Sequence, residues 1–213
     1  MADPAPLFAA VQAVYGADEA QRLYGELAPV PVERILAAGD GHTLDLGGRT
    51  LVCLDTPGHA RHHLSLLDPP LLLKALGAGG PPLRALAVVL GAGGAGRAVA
   101  FALREAGLEV WVWNRTPQRA LALAEEFGLR AVPLEKAREA RLLVNATRVG
   151  LEDPSASPLP AELLPEEGAV VDLVYRPLWT RFLREAQERG LKVQTGLPML
   201  AWQGALAFRL WTG

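Results

Sequence analysis

Three glycines near the middle of the chain have the spacing of a phosphate-binding turn. Gly91, Gly93 and Gly96 follow the apolar run 85–90 and precede an alanine-rich stretch, which is the strand-turn-helix context that a G-x-G-x-x-G pattern requires. The first glycine allows a tight bend, the second lets the backbone approach a pyrophosphate, and the third lets the helix pack closely on the strand. A tight turn without a ligand is the alternative, but the flanking pattern favours nucleotide binding. The predicted cofactor-binding turn is Gly91, Ala92, Gly93, Gly94, Ala95 and Gly96.

The residues after the next predicted strand indicate which dinucleotide would bind. An NAD site normally ends this strand with Asp or Glu, whose carboxylate binds the ribose 2′-hydroxyl and repels a 2′-phosphate. This chain instead has Asn114, Arg115 and Thr116, with Arg119 one turn later. The guanidinium of Arg115 can pair with a 2′-phosphate and stack on adenine, while Asn114 and Thr116 can donate further hydrogen bonds. A solvated loop is the alternative interpretation of Arg115, and the missing carboxylate favours NADP.

The elements that must position these residues alternate along the second half of the chain. Six short apolar runs predict strands, and amphipathic stretches between them predict helices. Nearly all the runs are apolar throughout, which is typical of a parallel sheet covered on both faces. The predicted fold class is therefore α/β, a doubly wound parallel Rossmann-type sheet of about six strands. The predicted strands are Ala85–Leu90, Glu109–Trp113, Arg130–Val132, Leu142–Asn145, Val170–Leu173 and Lys192–Gln194, and the predicted helices are Ala95–Ala106, Pro117–Phe127, Glu135–Glu139, a short one near Pro160, Thr180–Arg189 and Met199–Trp211.

The first 69 residues have a different character and predict a small α+β segment. Apolar residues at helical spacing between Phe8 and Tyr15, and again at Leu23, Tyr24 and Leu27, predict one or two helices. Alternating apolar residues over 43–56 bracket Gly47-Gly48 and predict a hairpin, with a third strand over 63–67. So few elements bury only a modest core, and we expect the segment to pack against another part of the protein. A Gly/Pro-rich linker over 70–82 then leads to the Rossmann domain, 83–213.

Composition excludes several classes of function. The formal net charge of −2 over 213 residues provides no basic field for nucleic acid. No apolar run approaches the roughly 20 residues of a membrane-spanning helix. Asp3 stands where a secretory signal carries a basic residue, and the single Cys53 cannot form an intramolecular disulfide. We therefore expect no nucleic-acid or membrane partner and a cytoplasmic location, with Cys53 as a small buried hydrophobic residue.

The Rossmann part resembles the shikimate dehydrogenase family in several ordered motifs. The resemblance implies that the glycine turn holds the pyrophosphate of NADP and that Asn114 to Arg119 hold its 2′-phosphate. Leu173 and Gly196 would border the nicotinamide, and Tyr175 and Gln203 would bind shikimate. On the residues alone, Tyr175 could be a packed aromatic and Gln203 a surface residue. The motifs are Gly91 to Ala98, Asn114-Arg115-Thr116, Asn145-Ala146-Thr147 with Gly150, Asp172-Leu173-Val174-Tyr175 with Pro177 and Thr180, and Gly196 to Leu200 leading to Gln203.

The N-terminal part departs from that family. Its members carry a separate substrate domain whose lysine and aspartate handle the proton of the oxidised hydroxyl. Residues 1–73 contain no lysine, and Lys74 is the first. His59 could take the role of general base, but nothing in the sequence places it at a nicotinamide. We therefore assign no catalytic residue and expect turnover to be impaired.

Residues 41–69 resemble instead a piece of a metallo-β-lactamase-fold hydrolase. The motifs are Leu46-Gly47-Gly48-Arg49 and Thr56-Pro57-Gly58-His59, with His62 and His63 following. In that family the histidine matching His59 is a zinc ligand. A catalytic zinc site needs three protein ligands, and the family's main histidine cluster is missing, so we predict no metal.

The sequence leaves three functional hypotheses. The first is an NADP-dependent oxidoreductase that interconverts shikimate and 3-dehydroshikimate. The second is an inactive NADP-binding module or chimera of two family pieces, and the third is a remnant zinc hydrolase that needs ligands from another chain. Exposed strand edges in residues 1–69 could also pair between copies, which predicts a possible homo-oligomer.

Overall fold

The computed structural model of the chain describes residues 5–25, 28–45, 48, 50–55, 64–67 and 85–201, with the backbone alone at 7 and 64–67. Contacts divide the chain into two compact units, Met1–Ala38 and Gly39–Gly213. The predicted linker over 70–82 lies outside the described residues, so the domain boundaries proposed from the sequence stay predictions. Among the described residues, no helix is long and apolar enough to cross a membrane.

The first unit is helical where it is described. Helices α1 (Ala5–Tyr15) and α2 (Ala17–Tyr24) are separated by Gly16, whose φ of 82° turns the chain between them. The rings of Tyr15 and Tyr24 are tilted by 48° to each other, with centroids 6.3 Å apart. The structure thus has two helices where the sequence predicted one or two, and a 3-10 turn follows at Val32–Arg34.

The second unit contains an antiparallel and a parallel sheet. The antiparallel sheet has the order β1 (Thr43–Asp45), β2 (Thr50–Asp55) and β3 (Leu64–Leu67), which confirms the predicted hairpin and third strand. The parallel strands are β4 (Leu86–Leu90), β5 (Glu109–Trp113), β6 (Arg130–Ala131), β7 (Leu142–Asn145), β8 (Ala169–Asp172) and β9 (Lys192–Gln194), in the order β6-β5-β4-β7-β8-β9. This order is that of a doubly wound Rossmann sheet, in which the chain reverses direction across the sheet at β4.

Helices cover both faces of the parallel sheet, because successive strand residues point to opposite sides. On one face, Ala87 and Val89 pack in a cluster with α3 (Gly94–Glu105) and α4 (Pro117–Phe127). On the other face, Val88 and Leu90 pack with α5 (Arg181–Glu188). Each fully buried Val or Leu side chain contributes about 1.5 to 3 kcal/mol relative to exposure.

The remaining connections are short. The stretch predicted as a helix at Glu135–Glu139 is instead a 3-10 helix, Leu134–Glu139, because Ala137 is its one buried residue and cannot build an apolar helical face. The short element near Pro160 is the 3-10 helix Ala161–Leu163. Residues 197–201 are helical, and the rest of the predicted closing helix lies outside the described residues.

The small antiparallel sheet shares its core with the Rossmann sheet. Leu54 of β2 is 2% exposed and belongs to the same apolar cluster as Val99 and Leu103 of α3. Asp40 reinforces this contact, since one of its carboxylate oxygens accepts from the Asp55 amide at 2.7 Å and the other pairs with Arg97 of α3 at 2.7 Å. The expectation that this segment packs against another part of the protein is thus confirmed for β2.

Candidate dinucleotide site

The strands align the predicted site residues at one edge of the sheet. Leu90 at the end of β4 pairs in register with Trp113 of β5 and with Asn145 of β7, and Asn145 pairs with Asp172 of β8. The four strands therefore end at the same level, and the residues that follow each strand lie along the same carboxyl edge. Ligands of open parallel sheets bind at this edge, where the strand order reverses.

The glycine turn after β4 is too tight for side chains at two positions. Gly91 has φ of 112°, and a Cβ atom there would lie 3.0 Å from the carbonyl oxygen of Ala146. A Cβ on Gly96 would lie 1.9 Å from the carbonyl oxygen of Gly91. Helix α3 thus returns directly against the turn, which is the close helix-to-strand approach that the third glycine was predicted to allow.

Gly93 differs from the other two glycines because it faces open space. A Cβ added there meets no heavy atom within 4 Å, and its φ of −87° is accessible to any residue. Gly93 is also the N-cap of α3, where no side chain of the described residues caps the first-turn amides. Those amides and the positive end of the helix dipole can therefore bind an anion such as a pyrophosphate.

Two exposed arginines follow β5 at the same edge. Arg115 lies in the turn before α4, and Arg119 lies in the first turn of that helix, which begins at Pro117. Neither arginine side chain is paired with a carboxylate among the residues described. Thr116, the N-cap of α4, makes no side-chain capping bond. These groups are free to bind a phosphate beside the glycine turn.

Asn114 links these two parts of the site. Its Oδ1 atom accepts from the Ala92 amide at 3.1 Å, and its Nδ2 atom donates to the Thr116 carbonyl at 3.0 Å. The side chain is half-buried, and both ends of its amide contact the backbone.

A buried polar network connects the loops after β7 and β8. Both carboxylate oxygens of Asp172 accept hydrogen bonds, from Asn145 Nδ2 at 2.9 Å and the Val174 amide at 2.9 Å on one side, and from the Thr180 hydroxyl at 2.7 Å on the other. Asn145, Asp172 and Thr180 are all 0% exposed. Thr180 also caps α5 by accepting from the Leu183 amide at 3.3 Å. Desolvation by burial raises the pKa of Asp172, against the lowering effect of these hydrogen bonds.

All three polar residues belong to the sequence motifs, but their residue types alone predicted no role for them. Asn145 Oδ1 accepts from the amide and hydroxyl of Thr147 at 3.0 and 2.7 Å. Thr147 lies next to the glycine turn, since a Cβ on Gly91 would lie 3.1 Å from its methyl group. The signal in the sequence is that Asn145 and Asp172 each close an otherwise apolar strand. Their partners depend on the register of β7 and β8, which the sequence does not specify.

The residues predicted to border nicotinamide and substrate are partly brought together. Gly196 lies directly against the loop after β8, since a Cβ there would lie 2.6 Å from the Leu173 carbonyl oxygen. Tyr175 follows in the same loop with 47% of its surface exposed. Gln203 lies outside the described residues. The structure thus places Leu173, Tyr175 and Gly196 at one end of the sheet.

The predicted features of the N-terminal part are described only in part. Cys53 is fully buried, as predicted, and burial raises the pKa of its thiol. His59, His62, His63 and Lys74 lie outside the described residues. Among the residues that are described, no group of three His, Cys, Asp or Glu side chains could hold a metal ion.

A concavity of about 440 Å³ lies at the opposite, amino-terminal edge of the sheet, lined in part by Arg138, Arg141 and Glu167. Arg141 and Glu167 form an ion pair with each other. The concavity is thus separated from the glycine turn by the length of the strands.

The strand order, the glycine turn and the helix that starts at it define a Rossmann-type α/β domain. Residues 82–148 match the family model described as Shikimate / quinate 5-dehydrogenase, and residues 196–213 match the one described as Shikimate 5'-dehydrogenase C-terminal domain. These matches support the resemblance of this part of the chain to shikimate dehydrogenases. The resemblance of residues 41–69 to metallo-β-lactamase-fold hydrolases stays a hypothesis.

Individual relatives agree with the family models. The NADP(+) shikimate dehydrogenase of Thermus thermophilus is 93% identical over 146 residues, 68% of this chain and 56% of that protein. The Aquifex aeolicus enzyme of the same name is 44% identical over 128 residues, 59% of this chain and 47% of that protein. This chain thus spans about half the length of these relatives.

A solved structure shares the fold over most of the chain. It is the crystal structure of Thermus thermophilus shikimate 5-dehydrogenase in complex with NADP(H) and shikimate. It superposes with a TM-score of 0.65 at 80% identity, covering 77% of this chain and 61% of that one.

Proposed function

We propose that this chain binds NADP(H) and acts as an oxidoreductase of the shikimate dehydrogenase type, interconverting shikimate and 3-dehydroshikimate by hydride transfer. The observation that carries the proposal is that Arg115 and Arg119 have no carboxylate partner among the residues that the structure describes. They follow β5, which is adjacent to the strand that leads into the glycine turn. A guanidinium at this position can form an ion pair with a 2′-phosphate, but it can form none with the neutral 2′-hydroxyl of NAD. The names of the relatives, which are NADP(+) enzymes, support the same cofactor.

Each part of the cofactor has candidate partners in this chain. The turn from Gly91 to Gly96 would hold the pyrophosphate, and Arg115, Thr116 and Arg119 would hold the 2′-phosphate. Leu173 and Gly196 would border the nicotinamide, which supplies the hydride acceptor or donor when NADP(H) is bound.

Substrate contacts belong to the same edge of the sheet. Tyr175 is half exposed there, and its hydroxyl would bind a ring substituent of shikimate. We assign Gln203 the same role from the family resemblance. No residue of this chain is assigned as the acid or base.

The second candidate is an NADP-binding module that does not turn over shikimate. One observation favours it: residues 1–73 contain no lysine, whereas the family resemblance implies a lysine in the substrate domain. Under this alternative, a fusion of two family pieces would retain the cofactor site alone. A zinc site based on His59 is a third possibility, which metal analysis of the purified protein decides.

Cofactor and substrate titrations separate these candidates. Purified protein is titrated with NADPH and NADH, and NADP⁺ reduction is then followed by absorbance in the presence of shikimate. Tighter binding of NADPH together with shikimate-dependent reduction supports the enzyme, whereas tighter binding without turnover supports the module. Equal affinity for the two nucleotides would show that Arg115 does not bind the 2′-phosphate.

Arg115→Asp tests that site directly. The substitution removes a charge-assisted contact and adds a repulsive carboxylate, so we expect NADPH binding to weaken by about 1 to 3 kcal/mol with little change for NADH. Isothermal titration calorimetry with both nucleotides measures the effect. Arg138→Asp, the same charge change at the opposite edge of the sheet, is the matched control. An equal loss in the two variants would indicate a general electrostatic effect.

A further inference from the structure

Asn114 occupies the position that determines cofactor type in dinucleotide-binding folds. It is the first residue after β5, where NAD-binding domains carry a carboxylate for the ribose 2′-hydroxyl. A carboxamide in this position could bind the 2′-phosphate directly through its Nδ2 hydrogens. The hydrogen bonds of Asn114 indicate a different role.

The amide of Asn114 is oriented by two backbone groups of opposite polarity. The Ala92 N–H needs an acceptor and the Thr116 carbonyl needs a donor, and Oδ1 and Nδ2 meet them at 3.1 and 3.0 Å. The flipped amide would place Nδ2 against an N–H and Oδ1 against a carbonyl, so one orientation alone satisfies both contacts. The acceptor and one of the two donor hydrogens are therefore already in use.

The two backbone groups belong to the two halves of the site. Ala92 lies in the glycine turn, between Gly91 and Gly93, and Thr116 follows Arg115 directly. Regular pairing of β4 with β5 ends at Leu90 and Trp113, and one further backbone bond joins the Gly91 amide to the Trp113 carbonyl at 2.7 Å. Beyond that point, the two hydrogen bonds of the Asn114 side chain connect the turns.

We propose that Asn114 is a positioning residue that fixes the spacing between the pyrophosphate turn and the 2′-phosphate turn. This role rests on the proposed NADP(H) site. A direct ligand of the 2′-phosphate would affect NADPH alone. A positioning residue that holds the glycine turn affects every dinucleotide, because NADPH and NADH share the pyrophosphate.

The experiment compares Asn114→Ala with Arg115→Ala by calorimetric titration with NADPH and NADH. We expect Asn114→Ala to weaken both nucleotides by a similar factor, roughly tenfold for about one net hydrogen bond. Arg115→Ala should weaken NADPH selectively. Loss of NADPH affinity alone in Asn114→Ala, or no loss for either nucleotide, would overturn the positioning role.

Amide exchange provides a readout that needs no cofactor. In ligand-free protein, exchange at the Ala92 amide followed by NMR should accelerate in Asn114→Ala, because its acceptor is gone. Asn114→Asp retains an oxygen for the Ala92 amide and should restore the slow exchange there, while its second oxygen cannot donate to the Thr116 carbonyl and its charge opposes NADPH. Unchanged exchange at Ala92 in Asn114→Ala would contradict the link. A different outcome would separate this role from the cofactor site. If the wild-type protein binds neither nucleotide while exchange at Ala92 still accelerates in Asn114→Ala, the cofactor site is refuted, together with the role that depends on it.

Discussion

Gly96→Ala is expected to destabilise the protein by at least about 3 kcal/mol, lowering the Tm of a chain of this size by about 6 to 12 °C. The new Cβ would lie 1.9 Å from the Gly91 carbonyl oxygen, and backbone cannot rotate away as a side chain can. Helix α3 or the turn after β4 must therefore shift, and the cofactor site with it. Thermal unfolding followed by circular dichroism measures the change.

Gly93→Ala is the matched control for this prediction. An added Cβ at Gly93 meets nothing within 4 Å, so the variant should fold with a loss of about 1 kcal/mol or less, from replacing an N-cap glycine. Its NADPH affinity should nevertheless fall, because the methyl group would occupy the space through which a pyrophosphate approaches the backbone. Wild-type affinity in Gly93→Ala would place the pyrophosphate elsewhere, and wild-type stability in Gly96→Ala would refute the close approach of α3 to the turn.

Asp172→Ala is expected to have the second large effect on stability, about 3 kcal/mol or more. The substitution leaves the buried Asn145 amide, Val174 N–H and Thr180 hydroxyl without their acceptor, and each unsatisfied buried donor costs about 1 to 3 kcal/mol. Urea unfolding of the variants measures the free energy of unfolding directly.

Related variants separate the contacts of this network. Thr180→Val removes one hydrogen bond and the helix cap and should cost about 1 to 2 kcal/mol, whereas Thr180→Ser keeps the hydroxyl and should remain near wild type. Asp172→Asn should lie between wild type and Asp172→Ala, because its NH₂ group faces the Thr180 hydroxyl hydrogen. Equal stability of Thr180→Val and Thr180→Ser would show that the hydroxyl contributes nothing.

The pH dependence of Asp172 follows from the direction of its pKa shift. Burial raises the pKa in the folded protein above its value in the unfolded chain, so unfolding releases a proton between the two values. The stabilisation linked to this pKa shift is therefore fully present below the unfolded pKa and is lost as pH rises through the folded pKa. The stability difference between wild type and Asp172→Asn should shrink as pH rises across that interval. A difference that grows with pH would mean that the hydrogen bonds outweigh desolvation.

The parallel sheet could be predicted from the sequence because its strands are buried on both faces. Runs such as 142–144 are apolar throughout, which distinguishes them from the alternating pattern of a surface strand. The glycine spacing after 86–90 predicted the position of the first strand-to-helix turn. The predicted strands accordingly agree with β4 to β9 to within one residue at each end.

The polar contacts of the site could not be predicted in the same way. Asn145 and Asp172 are 27 residues apart in the chain, and Asp40 and Arg97 are 57 apart. Such pairs depend on strand register and on how the small sheet packs, and a single sequence records neither. The amide of Asn114 illustrates the limit: its residue type suggested a phosphate contact, while its two backbone partners are visible only once β4 and β5 are aligned.

The contact between β2 and α3 determines where a self-sufficient cofactor-binding fragment can begin. A fragment starting at residue 83, the boundary that the motifs suggest, would omit Leu54 from the cluster that contains Val99 and Leu103. It would also leave Arg97, whose side chain is 13% exposed, with Glu126 as its one remaining carboxylate partner among the described residues. Truncation there would uncover apolar surface on the helix that begins at the glycine turn. A minimal fragment that keeps this helix covered begins instead at about Gly39.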